Sequence, residues 1–277
     1  MSEGLRKDLE FVRINGHKLH IFRCGDENKP KLVFMSGSGT AAPMYDFKVL
    51  YKKLLNDFRI IVIEKFGYGY SDLYECPCDI DTVVSYQKQA LEKIGEKAPY
   101  ILLPHSMSGL EAIRWKQKFP DDIKAIIGLD MATPITYMEW GSKEINRRLA
   151  LMRRFRKLNE LGLLFWYPLS SRELTKAEKK QLRLLKRRNL MNSCYINEAK
   201  QIMKNTRIVA GAGKADCPTL MFVSDGKQTS PDWINNERKY ARSVNARIVL
   251  LDCGHYIHYY ESSRISSEIK AFLSELP

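Results

Sequence analysis

Tyr100-Ile-Leu-Leu-Pro-His-Ser-Met-Ser-Gly109 is an apolar run that ends on small polar residues and leads directly into a helical pattern, Gly109 to Phe119. A short apolar run bounded by turn residues reads as a buried strand, so the stretch is strand, tight turn and helix with Ser106 at the apex. A turn that sharp needs small residues around its apex, because backbone atoms come close together while the serine hydroxyl is held out over the sheet edge. Ser108 and Gly109 meet that demand. Pro104 stands where a GxSxG turn has its first glycine and Ser108 where it has its last, so the motif is met in size but not to the letter. The same turn also reads as a plain serine N-cap after a strand.

Working outward, the alternation persists on both sides. Glu10 to Ile14 and His17 to Arg23 alternate as two strands joined by Asn15-Gly16, a pair that tolerates the positive φ of a tight hairpin. Lys31 to Met35 and Arg59 to Ile63 are buried-strand runs, Ile80 to Ile94 reads as a helix, and Ile123 to Leu129 as another strand. This is βαβ punctuation and predicts a mainly parallel sheet. After residue 132 the rhythm breaks into charged helical segments, then resumes with Thr219 to Val223, Trp233 to Ser243, Arg247 to Leu251 and Ser262 to Leu273. The expected organisation is a core of residues 1–132 and 209–277 interrupted by a helical cap, 133–208.

The 277 residues are 44% hydrophobic, enough for a large core, which excludes disordered, collagenous and disulfide-stapled classes. No run of 18 apolar residues exists and the N-terminus lacks a signal-peptide stretch, so a cytoplasmic protein without integral membrane association is expected. The six cysteines are scattered, and Cys76-Pro-Cys78 has no second pair to complete a zinc site; no metal is expected. The formal charge is +13, and 133–205 holds 17 Lys or Arg against six Asp or Glu. Within it Leu149, Met152, Phe155 and Leu158 form an apolar stripe opposite the charges, as in a lid packed on a core. The basic runs therefore read as solvated helix faces with no nucleic-acid role, or as a rim that concentrates an anionic substrate. Trp140, Phe165, Trp166 and Tyr167 point to an apolar pocket.

Two more stretches carry chemistry. Leu250-Leu-Asp-Cys-Gly-His-Tyr-Ile-His258 places His255 after the final strand, where loops beyond parallel strands bring distant residues to one sheet edge. A serine nucleophile needs such a base. His258, three residues further on, is the weaker candidate. Phe34-Met-Ser-Gly-Ser-Gly39 is a glycine-rich turn after a strand, and acyl transfer needs two backbone donors for the oxyanion; Ser38 and Met107 are the natural suppliers.

With these marks the chain resembles the α/β-hydrolase superfamily along nearly its full length. The likeness rests on the opening hairpin, Ser36-Gly37-Ser38-Gly39, Phe66-Gly-Tyr-Gly-Tyr-Ser-Asp72, the Ser106 turn and Gly254-His255. It implies an α/β fold with an eight-stranded sheet flanked by helices, a cap after the sixth strand and a Ser-His-acid triad, in the region of the capped bacterial dehalogenases, esterases and lactonases. The acid departs from the usual pattern. After the seventh strand Lys227 occupies the expected position and Asp225 lies two residues early, whereas Leu129-Asp130-Met131 places a carboxylate after the sixth, as in some haloalkane dehalogenase relatives. Asp130 also ends a buried strand, where an unpaired carboxylate is costly, and is the expected acid, with Asp225 the alternative. Dehalogenases and epoxide hydrolases of this layout carry aspartate at the turn, so Ser106 implies an acyl-enzyme.

The expectation is a cofactor-free serine hydrolase of a small-molecule ester, thioester, lactone or small amide, with Ser106, His255 and Asp130 catalytic and the Ser38 and Met107 amides as oxyanion donors. Two rivals are a hydrolase fold that binds a ligand or partner without catalysis, and a nucleotide-dependent oxidoreductase. The latter is suggested by Gly37-Ser-Gly39-Thr-Ala-Ala42 with Glu64 ending the next strand.

Overall fold

A computed structural model describes Leu5, Arg6 and residues 8–163 and 173–276. Eight strands, β1 (Phe11–Ile14), β2 (His17–Cys24), β3 (Lys31–Met35), β4 (Arg59–Glu64), β5 (Tyr100–Pro104), β6 (Ile123–Leu129), β7 (Thr219–Val223) and β8 (Arg247–Leu250), form one sheet. Their order is β1-β2-β4-β3-β5-β6-β7-β8. The β1-β2 and β2-β4 pairs are antiparallel and every later pair is parallel. The hairpin turn takes the backbone that Asn15-Gly16 predicts, with φ of 49° and 81°.

The central strands are apolar on both faces because each face is covered. Val33, Ile61, Leu102 and Met221 pack into one core, and Leu32, Phe34, Ile101, Leu103 and Phe222 into the other, the period-two alternation of a strand between two helical layers. The helices before β6 are α1 (Pro43–Asp46), α2 (Lys48–Tyr51), α3 (Ile80–Lys93) and α4 (Ser108–Lys118). Between β6 and β7 lie α5 (Pro134–Met138), α6 (Ser142–Glu160), α7 (Lys176–Asn189) and α8 (Ser193–Gly211), and after β7 come α9 (Trp233–Ser243), α10 (Ile257–Tyr260) and α11 (Ser262–Ser274).

Caps set where the helices between β6 and β7 begin. Thr175 and Glu178 form a reciprocal capping box at α7, and the Asn192 side chain accepts from the Cys194 and Tyr195 amides at α8. In α6 Leu149 is buried, whereas Met152, Phe155 and Leu158 are half-buried. The end of α7 and start of α8 are stitched to the core loops. Asn189 donates to the carbonyls of Ala41 and Gly69, Arg188 to those of Gly69 and Ser71, and Tyr195 to that of Thr40. Trp140 is half-buried against Tyr137 and beneath Arg148; Phe165, Trp166 and Tyr167 lie outside the described residues. Among the described residues no helix is long and apolar enough to cross a membrane.

Candidate active site

The turn after β5 has the strand-to-helix form read from its sequence. Ser106 has φ 54°, a left-handed conformation that costs a non-glycine residue free energy and persists only when its surroundings enforce it. The enforcing contacts are specific. The Ser106 carbonyl accepts from the amides of Gly109 (3.0 Å) and Ala132 (2.7 Å). A side chain at Gly109 would meet the Ala132 carbonyl at 2.2 Å, so only glycine lets the helix start pack there. Ser108, in place of the usual last glycine, is fully buried and turns its hydroxyl back to donate to the Met35 and His105 carbonyls.

The glycine-rich loop after β3 lies against this turn. A Cβ on Gly37 would sit 2.5 Å from the Ser106 Cβ and 3.2 Å from its Oγ, so the loop can approach the serine only as glycine. The N–H groups of Ser38 and Met107 find no acceptor among the described residues, and Met107 is the N-cap of α4, the end where a helix favours negative charge.

His255 is in the loop between β8 and α10. Its Nδ1 lies 2.6 Å from Oδ2 of Asp130, a fully buried carboxylate with φ 49° just beyond β6. The other oxygen, Oδ1, accepts from the Ser224 amide (2.7 Å) and the Trp233 indole N–H (2.8 Å). With three partners the buried carboxylate is satisfied as an anion, and the imidazole keeps Nε2 for another proton. The His255 amide donates to the Gln228 side chain, placing the loop. Asp225 does not join this group: its carboxylate is paired with the Lys227 ammonium (3.0 Å), which holds it below the usual range.

Sequence reasoning missed Trp233, Gln228 and His105. His105 is buried beside Ser106, its ring 4.7 Å from that of His255. Its Nε2 lies 3.2 Å from the His255 carbonyl oxygen, which can only accept, so Nε2 carries the proton. Burial, then the nearby His255 and His258, hold the His105 imidazole well below its ordinary pKa and keep it neutral. His258 faces elsewhere, toward the Asp46 carboxylate at 3.3 Å. Glu64 is fully buried, with its oxygens held by His20 and the Met44 and Tyr70 amides, which leaves it no part in binding a ribose.

A cavity of about 180 Å³ borders Ser38, next to Gly37, and Tyr256, next to His255. Thr40 and Asp46 wall it from the core, and Lys186 and Met191 from the helices between β6 and β7. Among the described residues no cluster of His, Cys, Asp and Glu is placed to hold a metal ion.

A hairpin-led sheet of this order, with a serine at the turn after β5 and a histidine after β8, is the α/β-hydrolase fold, which the solved structures below share. The uncharacterized protein YbdG of Bacillus subtilis (strain 168) is 34% identical over 269 residues, 92% of this chain and 82% of YbdG. Among solved structures, Cfl2 from Burkholderia cenocepacia matches with a TM-score of 0.75 at 19% identity, covering 95% of each chain. The enol-lactonase from Burkholderia xenovorans LB400 matches with a TM-score of 0.67 at 18% identity, over 96% of this chain and 100% of that one. No family model matches the chain.

Proposed function

We propose that the protein is a serine hydrolase that cleaves a carboxylic ester or related acyl bond, with Ser106 as nucleophile, His255 as base and Asp130 as the orienting acid. The observation that carries this reading is the 2.6 Å contact from His255 Nδ1 to the buried Asp130 carboxylate, made at the sheet corner where Ser106 is held at φ 54°. A carboxylate on Nδ1 fixes the tautomer whose Nε2 accepts the serine proton and stabilises the imidazolium that follows. Ser106 then attacks the carbonyl, and the developing oxyanion takes the otherwise unengaged N–H groups of Ser38 and Met107. His255 returns its proton to the leaving group, and water repeats the sequence to release the acyl group.

On this reading residues 133–208 are a lid, and the cavity beneath α7 receives the small-molecule substrate. Its wall carries one anion, Asp46, and one cation, Lys186. The fold likeness to an enol-lactonase agrees with acyl chemistry but does not choose the substrate.

The test is intact mass after exposure to a fluorophosphonate, on wild type and on Ser106→Ala, followed by hydrolysis of activated esters graded by acyl length and charge. One adduct on wild type alone, with ester turnover lost in Ser106→Ala, is the expected result. Turnover retained in the variant overturns the assignment. A folded wild type that takes no adduct and cleaves no ester favours ligand binding without catalysis.

A further inference from the structure

The outer face of α6 carries leucines and cations together. Arg147, Leu151, Arg154 and Leu161 recur at steps of four, three and seven, one line along the helix. Leu151 is 48% exposed, Leu161 71% and Leu163 52%, three large aliphatic side chains in water on one short stretch. Three of the cations on this helix are not committed elsewhere. Arg147 and Arg148 share Glu144 and Arg156 takes Glu160, but among the described residues Arg153, Arg154 and Lys157 make no ion pair. Asn159 donates to the carbonyl of Arg187, which ties the end of α6 to the equally basic α7 and adds Arg187 to the same ground.

We infer that this α6 face is a docking surface for an anionic lipid bilayer. Leucines that enter the headgroup boundary and arginines that stay level with the phosphates are the two contributions by which an interfacial helix binds, and each is weak alone. Charge complementarity selects an acidic surface, and the leucines select lipid over nucleic acid, since exposed aliphatic groups gain nothing from a phosphate backbone.

The experiment is co-sedimentation of the full chain with vesicles of phosphatidylcholine alone and of phosphatidylcholine mixed with phosphatidylserine, at low and high salt. Binding is expected to the mixed vesicles only and to fall steeply with salt. Arg154→Gln/Lys157→Gln is expected to weaken it on the order of 25-fold, about fivefold for each cation. Arg238→Gln/Arg242→Gln, an equal charge change on the exposed face of α9, is expected to leave binding within about twofold, because these groups are not on the proposed face. Leu161→Ser/Leu163→Ser is expected to weaken binding without altering its salt dependence. The proposal is overturned if mixed vesicles fail to bind at low salt, if the α9 variant loses as much as the α6 variant, or if the leucine variant binds like wild type. Capture of duplex DNA in place of vesicles likewise overturns it and assigns the face to nucleic acid.

Discussion

Replacing Asp130 by asparagine isolates the tautomer from the fold. The carboxylate has three donors arranged so that Oδ1 accepts from the Ser224 amide and the Trp233 indole, while Oδ2 faces His255 Nδ1. An asparagine has one oxygen and one NH2. Turning the NH2 toward Ser224 and Trp233 sets donor against donor twice, at about 1–3 kcal/mol for each unsatisfied group. The oxygen therefore stays on that side and the NH2 faces His255, where Nδ1 must become the acceptor. The proton moves to Nε2, and the imidazole can no longer take the Ser106 proton. A wrong tautomer in such a triad costs on the order of 10⁴ in kcat, about 5.5 kcal/mol of transition-state stabilisation. Steady-state hydrolysis of an activated ester should show that loss in kcat with KM little changed, while thermal unfolding stays near wild type because the amide fills the same space. Asp225→Asn, whose side chain pairs only with Lys227 among the described residues, should retain most activity. Asp130→Asn within about tenfold of wild type would refute the assignment of the acid, and a larger loss in Asp225→Asn would transfer it.

Two further outcomes concern buried charge. Lys65 is buried with its ammonium 2.6 Å from Glu111 and 2.5 Å from Glu198, so Lys65→Met strands two carboxylates and is expected to cost about 3–5 kcal/mol in urea unfolding; a loss below about 1 kcal/mol would show that the pair is not intact in solution. Burial raises Glu237 well above the carboxylate range while its Oε1 accepts from the Thr136 hydroxyl at 2.8 Å. A raised folded pKa contributes stability below the unfolded value, near 4.5, that is lost as pH rises through the folded value. Glu237→Gln keeps the Thr136 contact and cannot ionise, so its melting temperature should match wild type at acid pH and exceed it increasingly above the unfolded value. Parallel melting curves against pH would contradict a neutral Glu237.

The sheet and the serine turn were legible because their signals are local. Each central strand is a continuous apolar run closed by a turn, and the Ser106 turn advertises its crowding through Ser108 and Gly109, the latter left only 2.2 Å of room by Ala132. The partners that favour Asp130 as the proposed acid are not local. Asp130 and Asp225 both follow buried strands, and what separates them is a set of bonds spanning 94 to 125 residues, from Ser224, Trp233 and His255. Trp233 reads in sequence only as an apolar residue starting a helix. His105 reads as the last residue of a strand, and its bond to the His255 carbonyl joins positions 150 residues apart. Glu64 shows the converse failure. Its place after a strand fitted a ribose acid, but the three groups that consume it lie on β2, α1 and the loop after β4.

The proposed position of the acid is consistent with how the two strained residues are held. Ser106 and Asp130 both have positive φ, at the ends of β5 and β6, and such conformations last only where neighbouring bonds over-determine them. Here they share those bonds. Ala132, two residues past Asp130, donates to the Ser106 carbonyl, and the Asp130 amide donates to the Phe222 carbonyl on β7. The end of β7 thus supplies an acceptor to the Asp130 backbone and, through Ser224, a donor to its side chain. On the proposed assignment β7 is the anchor of the acid and not its source. On the proposed mechanism nucleophile and acid belong to one hydrogen-bonded frame, so a shift of the β6 end displaces the serine and the imidazole's partner together. The His255 loop is joined to that frame through Asp130 and His105, so imidazole placement is the step that changes in that loop should disturb first.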